Sequence, residues 1–253
     1  MDENRQMKLS LITVTYNCEN TLEDTFRSVK EQKCEELEYI VIDGGSTDRT
    51  VEIIEKYDDI ITFWSSSPDE GIYDAMNRGL KKATGDYIGF LHADDIFFSS
   101  DTLLNLMSEF REHKPDVLYG DLVYVNSTDT DKVIRRWESC EFTPGLLGKG
   151  WMPPHPTLYI KRDVIQDTGF FDTSYRIASD YDYILRLFTQ QSLKFLYLPV
   201  VIVKMRMGGA SNKSVSNIIL KSKEDIRALK KNGVGGLITL IRKNVSKIPQ
   251  FFK

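Results

Sequence analysis

The sequence GDYIGFLHADD, Gly85 to Asp95, is an apolar run that begins at a turn residue and ends in two adjacent carboxylates. A short apolar run of this kind is typical of a buried strand in a parallel sheet. Carboxylates that follow such a strand lie at the sheet edge where open α/β proteins bind ligands. Because Asp94 and Asp95 repel each other, a divalent cation that carries a phosphate is the first candidate partner. The alternative is a solvated loop that caps the next helix, and the stretch alone favours neither.

Strands and helices alternate over the first half of the chain. Apolar runs predict further strands at residues 8–15, 37–42, 60–64 and 117–125. Helical spacing predicts helices at residues 21–32, 48–57, 72–83 and 102–113. This order predicts an α/β fold with a Rossmann-like, mostly parallel central sheet flanked by helices. The alternation stops at Asn126, and residues 126–150 look irregular.

Composition and charge exclude several classes of protein. The 253 residues are 41% hydrophobic and 28% charged, as in soluble globular proteins. A net charge of −4 argues against a general nucleic-acid binder. Three cysteines without metal-site spacing favour a reducing, cytoplasmic compartment. We expect neither a signal peptide nor a membrane-spanning segment from the residue pattern.

The C-terminal segment, residues 221–253, has a different composition. It carries nine basic residues and two acidic ones, and it ends in GLITLIRKNVSKIPQFFK. The mixture of aliphatic, aromatic and basic side chains suits a helix that lies in an anionic membrane surface. The alternative is a helix that docks on the body of the protein and exposes a cationic face to water.

Polar residues follow each of the first four predicted strands, and we expect them to share one cleft. They are Thr13 to Asn17, Asp43 to Gly45, Asp69-Glu70 and Asp94-Asp95. The chain has neither a Walker phosphate loop nor a G-x-G-x-x-G motif after the first strand. A bound nucleotide would therefore need its phosphates neutralised by other means, for example by a metal on Asp94 or Asp95.

Four blocks in this order resemble the inverting glycosyltransferases of family 2, which have the GT-A fold. The blocks are ITVTYN (residues 12–17), IDGGSTDRT (42–50), MNRGLKKATGDYIGFLHADD (76–95) and SDYDYILR (179–186). The type most similar makes bacterial surface polysaccharides such as O-antigen or capsule. The resemblance implies a GT-A domain at residues 1–220 and a basic amphipathic tail at 221–253. Within the domain, a nucleotide-binding half would span about residues 8–126 and an acceptor and catalytic-base half about 127–220.

The same resemblance assigns roles to individual residues. Thr15 and Tyr16 would line the base pocket, and Asp43 would bind the edge of the base. Asp94 would contact the ribose or sugar, and Asp95 would hold Mn²⁺ or Mg²⁺. Asp180 would be the general base. His92 occupies a position where many relatives carry an acid, and because an imidazole adds no negative charge, we expect weak metal binding completed by the donor diphosphate.

The chemistry requires two kinds of assistance. A departing diphosphate accumulates charge that a metal stabilises, and the acceptor hydroxyl must lose a proton to a base. Asp180 and Asp182 both begin a predicted helix, where the helix dipole by itself would favour acids. We assign Asp180 as the base because it matches the motif. His155 is equally well interpreted as a structural residue or as a contact to acceptor or diphosphate.

The function predicted from the sequence is metal-dependent transfer of a sugar, most plausibly from a UDP-sugar. The acceptor would be a glycan or an undecaprenyl-diphosphate-linked sugar in the biosynthesis of a surface polysaccharide such as lipopolysaccharide. Access to such a lipid favours a cytoplasmic protein held peripherally at the inner face of the plasma membrane by the tail. The alternatives are a sugar-phosphate nucleotidyltransferase, which would attack the α-phosphate, and a non-catalytic sugar-binding subunit.

Overall fold

The computed structural model describes residues 6–208 and 215–246, and within them the chain forms nine strands and eight helices. The strands are β1 (Leu9–Thr15), β2 (Leu37–Asp43), β3 (Phe63–Ser66), β4 (Tyr87–Phe90), β5 (Ile96–Phe97), β6 (Val117–Val125), β7 (Val133–Trp137), β8 (Tyr159–Lys161) and β9 (Phe195–Arg206). The helices are α1 (Leu22–Lys30), α2 (Thr50–Lys56), α3 (Ile72–Lys82), α4 (Thr102–His113), α5 (Arg162–Thr168), α6 (Ser179–Phe188), α7 (Val215–Lys231) and α8 (Leu237–Val245).

The strands form one sheet in the order β3-β2-β1-β4-β8-β6-β9-β5, and β7 pairs with β6. The longest ladders, between β1 and β2 and between β6 and β9, are parallel. The short strand β8 runs antiparallel to both of its neighbours, β4 and β6. The prediction of an α/β fold with a mostly parallel, helix-flanked sheet is confirmed.

Helices cover both faces of the sheet, which explains why the central strands have continuous apolar sequences. All seven residues of β1 are buried. One apolar cluster joins the sheet to α3 and α6 through Leu80 and Ile184. The other joins it to α1 and α4 through Phe26 and Phe110. The chain therefore reaches the surface in the loops that follow the central strands, for example at the exposed Tyr16 after β1.

The structure differs from the sequence prediction in the third strand, in the region 126–150 and in the unpredicted short strand β5. The third strand begins at Phe63, because a 3₁₀ turn occupies Asp58–Ile60. The region 126–150 contains β7, which pairs antiparallel with β6. The pairing places the Arg135 guanidinium 4.7 Å from the centre of the Tyr124 ring. Such cross-strand contacts join distant residues, and local composition does not reveal them.

The C-terminal helices pack on the body of the protein. Ala228 and Leu229 of α7 and Leu240 of α8 are buried in the same cluster as α6. The acidic pair Glu224 and Asp225 is also buried. Within residues 6–208 and 215–246, none of the helices combines the length and the apolar character needed to cross a bilayer.

Candidate active site

The candidate site lies where β1, β2 and β4 end, opposite the N-terminus of α6. The ladder between β1 and β2 places Thr15 directly opposite Asp43. The main-chain N–H of Gly44 donates to the carbonyl of Thr15 at 2.9 Å and continues the pairing into the loop. Two of the four polar clusters found in the sequence are thus neighbours at this edge.

Asp43 organises the loop that follows β2. Its side chain is fully buried, and Oδ2 accepts hydrogen bonds from the N–H groups of Gly45 and Ser46 at 3.0 and 2.9 Å. The same oxygen accepts from the Ser66 hydroxyl at 2.6 Å, while Oδ1 accepts from the Ser46 hydroxyl at 2.5 Å. These bonds satisfy much of the carboxylate's capacity. Asp43 therefore holds the shape of the loop, and only Oδ1 retains room for a further donor.

Thr15 and Tyr16 stand at the end of β1 in contrasting surroundings. The Thr15 hydroxyl is buried and has no hydrogen-bond partner among the described residues. The Tyr16 side chain is 61% exposed. The next residue, Asn17, has a φ of 50°, and its side-chain oxygen accepts the Thr47 N–H at 2.9 Å. The two loops are thereby joined, and of Thr15 and Tyr16 only the aromatic ring is exposed at the surface.

Gly44 allows a third loop to approach the first two. A Cβ at this position would collide with the Oδ2 atom of Asp69. The other oxygen of Asp69 accepts the Gly71 N–H at 2.8 Å, so the carboxylate is fixed where it lies. The absence of a side chain at Gly44 is therefore what permits Asp69 to reach this edge of the sheet.

Asp94 and Asp95 have different environments although they are adjacent. Asp94 is partly exposed, whereas Asp95 is fully buried and neither of its carboxylate oxygens has a hydrogen-bond partner among the described residues. Burial raises the pKa of Asp95 well above its usual value, the charge of Asp94 adds to this, and Arg206 opposes it. A buried carboxylate without hydrogen bonds is costly unless it is protonated or a cation joins it.

Asp180 lies in the first turn of α6 and is partly exposed. Its Oδ1 atom accepts the N–H of Tyr181 at 2.8 Å and the hydroxyl of Tyr73 at 3.3 Å. Within the described residues these bonds all go to one oxygen, which leaves Oδ2 for an incoming donor. Asp182, in contrast, is fully buried and forms ion pairs with Arg186 at 2.9 Å and Lys231 at 3.3 Å. Of the two acids of this helix, Asp180 is the one available to a ligand.

Two histidines lie between Asp94 and Asp180. The rings of His92 and His155 are 5.6 Å apart. Burial lowers the pKa of His92, and the charges of Asp94 and Asp180 oppose the effect. Burial also lowers the pKa of His155 to about 4, despite the charge of Asp180. Both imidazoles are therefore neutral near pH 7, and each can donate one hydrogen bond and accept one.

The structure thus brings Asp94, His155 and Asp180 together and pairs Thr15 with Asp43. Asp95 adjoins this group through Asp94, but its carboxylate oxygens are buried. Three residues near these groups were missed from the sequence: Tyr73 at Asp180, Arg206 beneath Asp94, and Glu224 behind α6. Arg206 donates to the main-chain carbonyl of Asp94 at 3.1 Å. The sequence did mark Glu224 as unusual, because it is one of only two acids in the strongly basic segment 221–253.

The chain belongs to glycosyl transferase family 2, whose model matches residues 10–185. Among curated proteins, it is 33% identical over 217 residues to the PGL/p-HBAD biosynthesis glycosyltransferases of Mycobacterium bovis and Mycobacterium tuberculosis. The match covers 84% of this chain and 82% of each relative.

Solved structures show the same fold. TarS 1–349 from S. aureus, in complex with UDP-GlcNAc, superposes with a TM-score of 0.72 at 22% identity, over 90% of this chain and 66% of that one. The mannosyltransferase PcManGT from Pyrobaculum calidifontis, in complex with GDP-Man and Mn²⁺, gives a TM-score of 0.66 at 19% identity, over 98% and 72%. The chain thus spans about two thirds of the TarS structure, and at these identities the likeness shows the fold alone.

Proposed function

We propose that this member of glycosyl transferase family 2 transfers a sugar from a nucleotide donor to an acceptor hydroxyl with inversion at the anomeric carbon. The observation that carries the proposal is the position of Asp180. Its carboxylate is held through Oδ1 by Tyr73 and the α6 backbone, while Oδ2 is left for an incoming donor, and His92 lies close enough to Asp180 and Asp94 for both charges to act on it. A fixed carboxylate with one available oxygen is suited to take the proton of a hydroxyl during attack.

Asp180 is the general base in this proposal, and the two neutral histidines bind substrate hydroxyls or diphosphate oxygens. His155 contributes hydrogen bonds without adding a charge, because burial keeps its pKa at about 4. Thr15, Tyr16 and Asp43 hold the nucleoside: the unpaired Thr15 hydroxyl and the exposed Tyr16 ring offer a hydrogen bond and a stacking surface. Residues 8–126 would form the nucleotide half and residues 127–220 the acceptor half.

Asp94 and Asp95 provide two hard oxygen donors, which is the ligand type that a divalent cation such as Mg²⁺ or Mn²⁺ prefers. Among the described residues no group of three or more His, Cys, Asp or Glu side chains is arranged to hold a metal ion. Asp94 and Asp95 would therefore share Mn²⁺ or Mg²⁺ with the donor diphosphate. The unpaired oxygens of Asp95 support this role, and the partial exposure of Asp94 makes it the first carboxylate that a metal would meet. When bound, the ion would stabilise charge on the leaving diphosphate.

The donor is proposed to be a UDP-sugar, a choice supported by the UDP-GlcNAc complex of TarS. We propose as acceptor a glycan or a polyprenyl-diphosphate-linked sugar in the assembly of a surface polysaccharide. The mycobacterial relatives are named for PGL/p-HBAD biosynthesis. The GDP-Man complex of PcManGT makes GDP-sugars the first alternative donors to test.

We place the protein at the inner face of the plasma membrane, bound through α8. The outward face of this helix is an apolar stripe of Leu237, Ile238, Ile241 and Val245, each more than half exposed. Its inward face carries the buried Lys243. The face of α8 that meets water is therefore apolar, whereas the alternative considered from the sequence was a docked helix with a cationic face in water. Exposed basic residues lie nearby, including Arg242 on α8 and Lys230 on α7, so the surface combines apolar insertion with attraction to anionic lipid.

A donor screen tests the proposed reaction. UDP-, GDP- and dTDP-sugars would be assayed for nucleoside diphosphate release with Mn²⁺ and with EDTA. We expect one donor to turn over with Mn²⁺, and Asp180→Asn to bind that donor normally but lose turnover. Release of pyrophosphate would indicate a nucleotidyltransferase instead. Donor binding without turnover in the presence of acceptor extracts would indicate a sugar-binding subunit.

A further inference from the structure

The carboxylate of Glu224, on α7, accepts hydrogen bonds from three consecutive main-chain N–H groups. They belong to Arg176, Ile177 and Ala178, at 2.8, 2.8 and 2.9 Å. The Glu224 side chain is buried. A buried carboxylate is costly unless its oxygens are occupied, and three charge-assisted bonds provide that compensation. The contact is therefore specific, because it needs an acceptor of this shape at this position.

The three N–H groups lie immediately before the helix that carries Asp180. Ala178 is the N-cap residue of α6, and it has no side-chain oxygen with which to cap the helix. Glu224 instead binds the N–H groups that lead into the helix, and it places a negative charge close to the N-terminus of α6, where the helix dipole favours it. The same turn presents the Ile177 carbonyl, which accepts the Tyr73 hydroxyl at 2.6 Å. Glu224 and Tyr73 thus fix this turn from two sides.

A second contact locks α7 behind the same part of α6. Asp225 pairs with Lys243 of α8 at 2.9 Å, and both side chains are almost fully buried. The Lys243 ammonium lies 3.2 Å from the centre of the Tyr181 ring, which is adjacent to Asp180 in the chain. The two acids of the basic C-terminal segment are therefore both used to hold the base-bearing turn, one through the backbone and one through Lys243.

We propose that Glu224 is a positioning residue for the reaction. It holds residues 176–178 so that Asp180 Oδ2 faces the acceptor hydroxyl, and it makes the C-terminal helices part of the catalytic apparatus. This inference rests on the proposed role of Asp180 as the base. Replacing the carboxylate with an amide places an NH₂ group against N–H donors, so the turn must shift. A displacement of about 1 Å at a reacting group costs on the order of 100-fold in rate.

The test compares Glu224→Gln with Glu38→Gln. Glu38 is also a buried carboxylate, and it accepts the Thr84 N–H at 2.7 Å and the Ser10 hydroxyl at 2.5 Å. Glu38 lies at the amino end of β2, whereas the candidate site lies at the carboxyl end. Glu38→Gln therefore shows how much kcat changes when a buried carboxylate is lost far from the site. The readouts are nucleoside diphosphate release from the best donor of the screen, with kcat expressed per folded molecule, and the donor Kd from calorimetry.

We expect Glu224→Gln to lower kcat by about 10- to 100-fold and to leave the donor Kd unchanged. Glu38→Gln should keep kcat per folded molecule within about two-fold, because substitutions at distant sites that share no partners act independently. A folded Glu224→Gln with normal kcat overturns the inference. If it does not fold, Glu224→Asp, which keeps the charge on a shorter side chain, is judged by the same criterion. Asp180→Asn is assayed in parallel. If Asp180→Asn retains its kcat, the assignment of Asp180 as the base fails. If Asp180→Asn loses kcat while Glu224→Gln keeps it, only the positioning role of Glu224 is excluded.

Discussion

The hydroxyl of Tyr73, on α3, shares its one proton between the carbonyl of Ile177 at 2.6 Å and Oδ1 of Asp180, on α6, at 3.3 Å. Tyr73 and Asp180 are separated by 107 positions in the chain, and the contact joins α3 to α6. Burial and the charge of Asp180 raise the pKa of Tyr73, so its hydroxyl remains a donor throughout the physiological range. Asp180 is therefore contacted by a helix, α3, that itself packs against the sheet.

Tyr73→Phe should lower kcat about ten-fold and leave the donor Kd unchanged, because losing one hydrogen bond to a charged group costs about 1.5–3 kcal/mol. Steady-state kinetics and calorimetry would check both quantities. Tyr57→Phe is the matched control, since Tyr57 also donates to a carboxylate, Glu23, at 3.3 Å, but between the end of α2 and α1. Equal kinetics for the two variants would remove Tyr73 from the site.

Gly44→Ala should weaken binding of UDP about ten-fold. The added methyl group would displace Asp69 from the loop edge, and forced packing of this kind costs about 1–3 kcal/mol. Titration calorimetry with UDP measures the effect. Gly145→Ala is the control, because a methyl group there meets no described heavy atom within 4 Å. Unaltered UDP affinity in Gly44→Ala would show that this edge does not bind the nucleotide.

The apolar stripe of α8 should determine membrane affinity. We expect the double substitution Ile238→Glu and Ile241→Glu to weaken binding to anionic phospholipid vesicles at least ten-fold, since each buried aliphatic side chain contributes about 1.5–3 kcal/mol. Sedimentation with vesicles measures the bound fraction. Leu104→Glu, which alters an exposed leucine on α4, should have no effect. Undiminished sedimentation of the double variant would exclude α8 as the membrane contact.

Stability should depend on Glu38 in acid. Burial alone would raise the pKa of Glu38, but hydrogen bonds from Lys8, Ser10 and Thr84 outweigh it and lower the pKa to about 2. Because the folded pKa lies below the unfolded value, the stabilisation is complete above about pH 5 and is lost as the pH falls towards 2; it amounts to about 3 kcal/mol.

Urea unfolding of the native protein and Glu38→Gln between pH 7 and pH 3 would measure this contribution. The difference in unfolding free energy should be largest at pH 7 and should shrink as Glu38 becomes protonated. A difference that does not change with pH would contradict the assignment.

The sequence determined the layered architecture, because strand and helix periodicities are local and the parallel half alternates without interruption. It also identified the four polar clusters, since loops that leave parallel strands at their carboxyl ends must share one edge of the sheet. The family blocks assigned Asp43, Asp94 and Asp180, and the structure places all three at or beside that edge.

Only the tertiary structure decided which of these side chains are available to a ligand. Asp94 and Asp95 are adjacent acids in one loop, yet Asp94 is partly exposed, whereas Asp95 is buried and its side chain finds no hydrogen-bond partner in the described part of the chain. Asp180 and Asp182 differ in the same way, because Arg186 and Lys231 neutralise only the second. The roles of Tyr73 and Glu224 depend on contacts across 107 and about 47 residues, and a local pattern carries no information about partners at that distance.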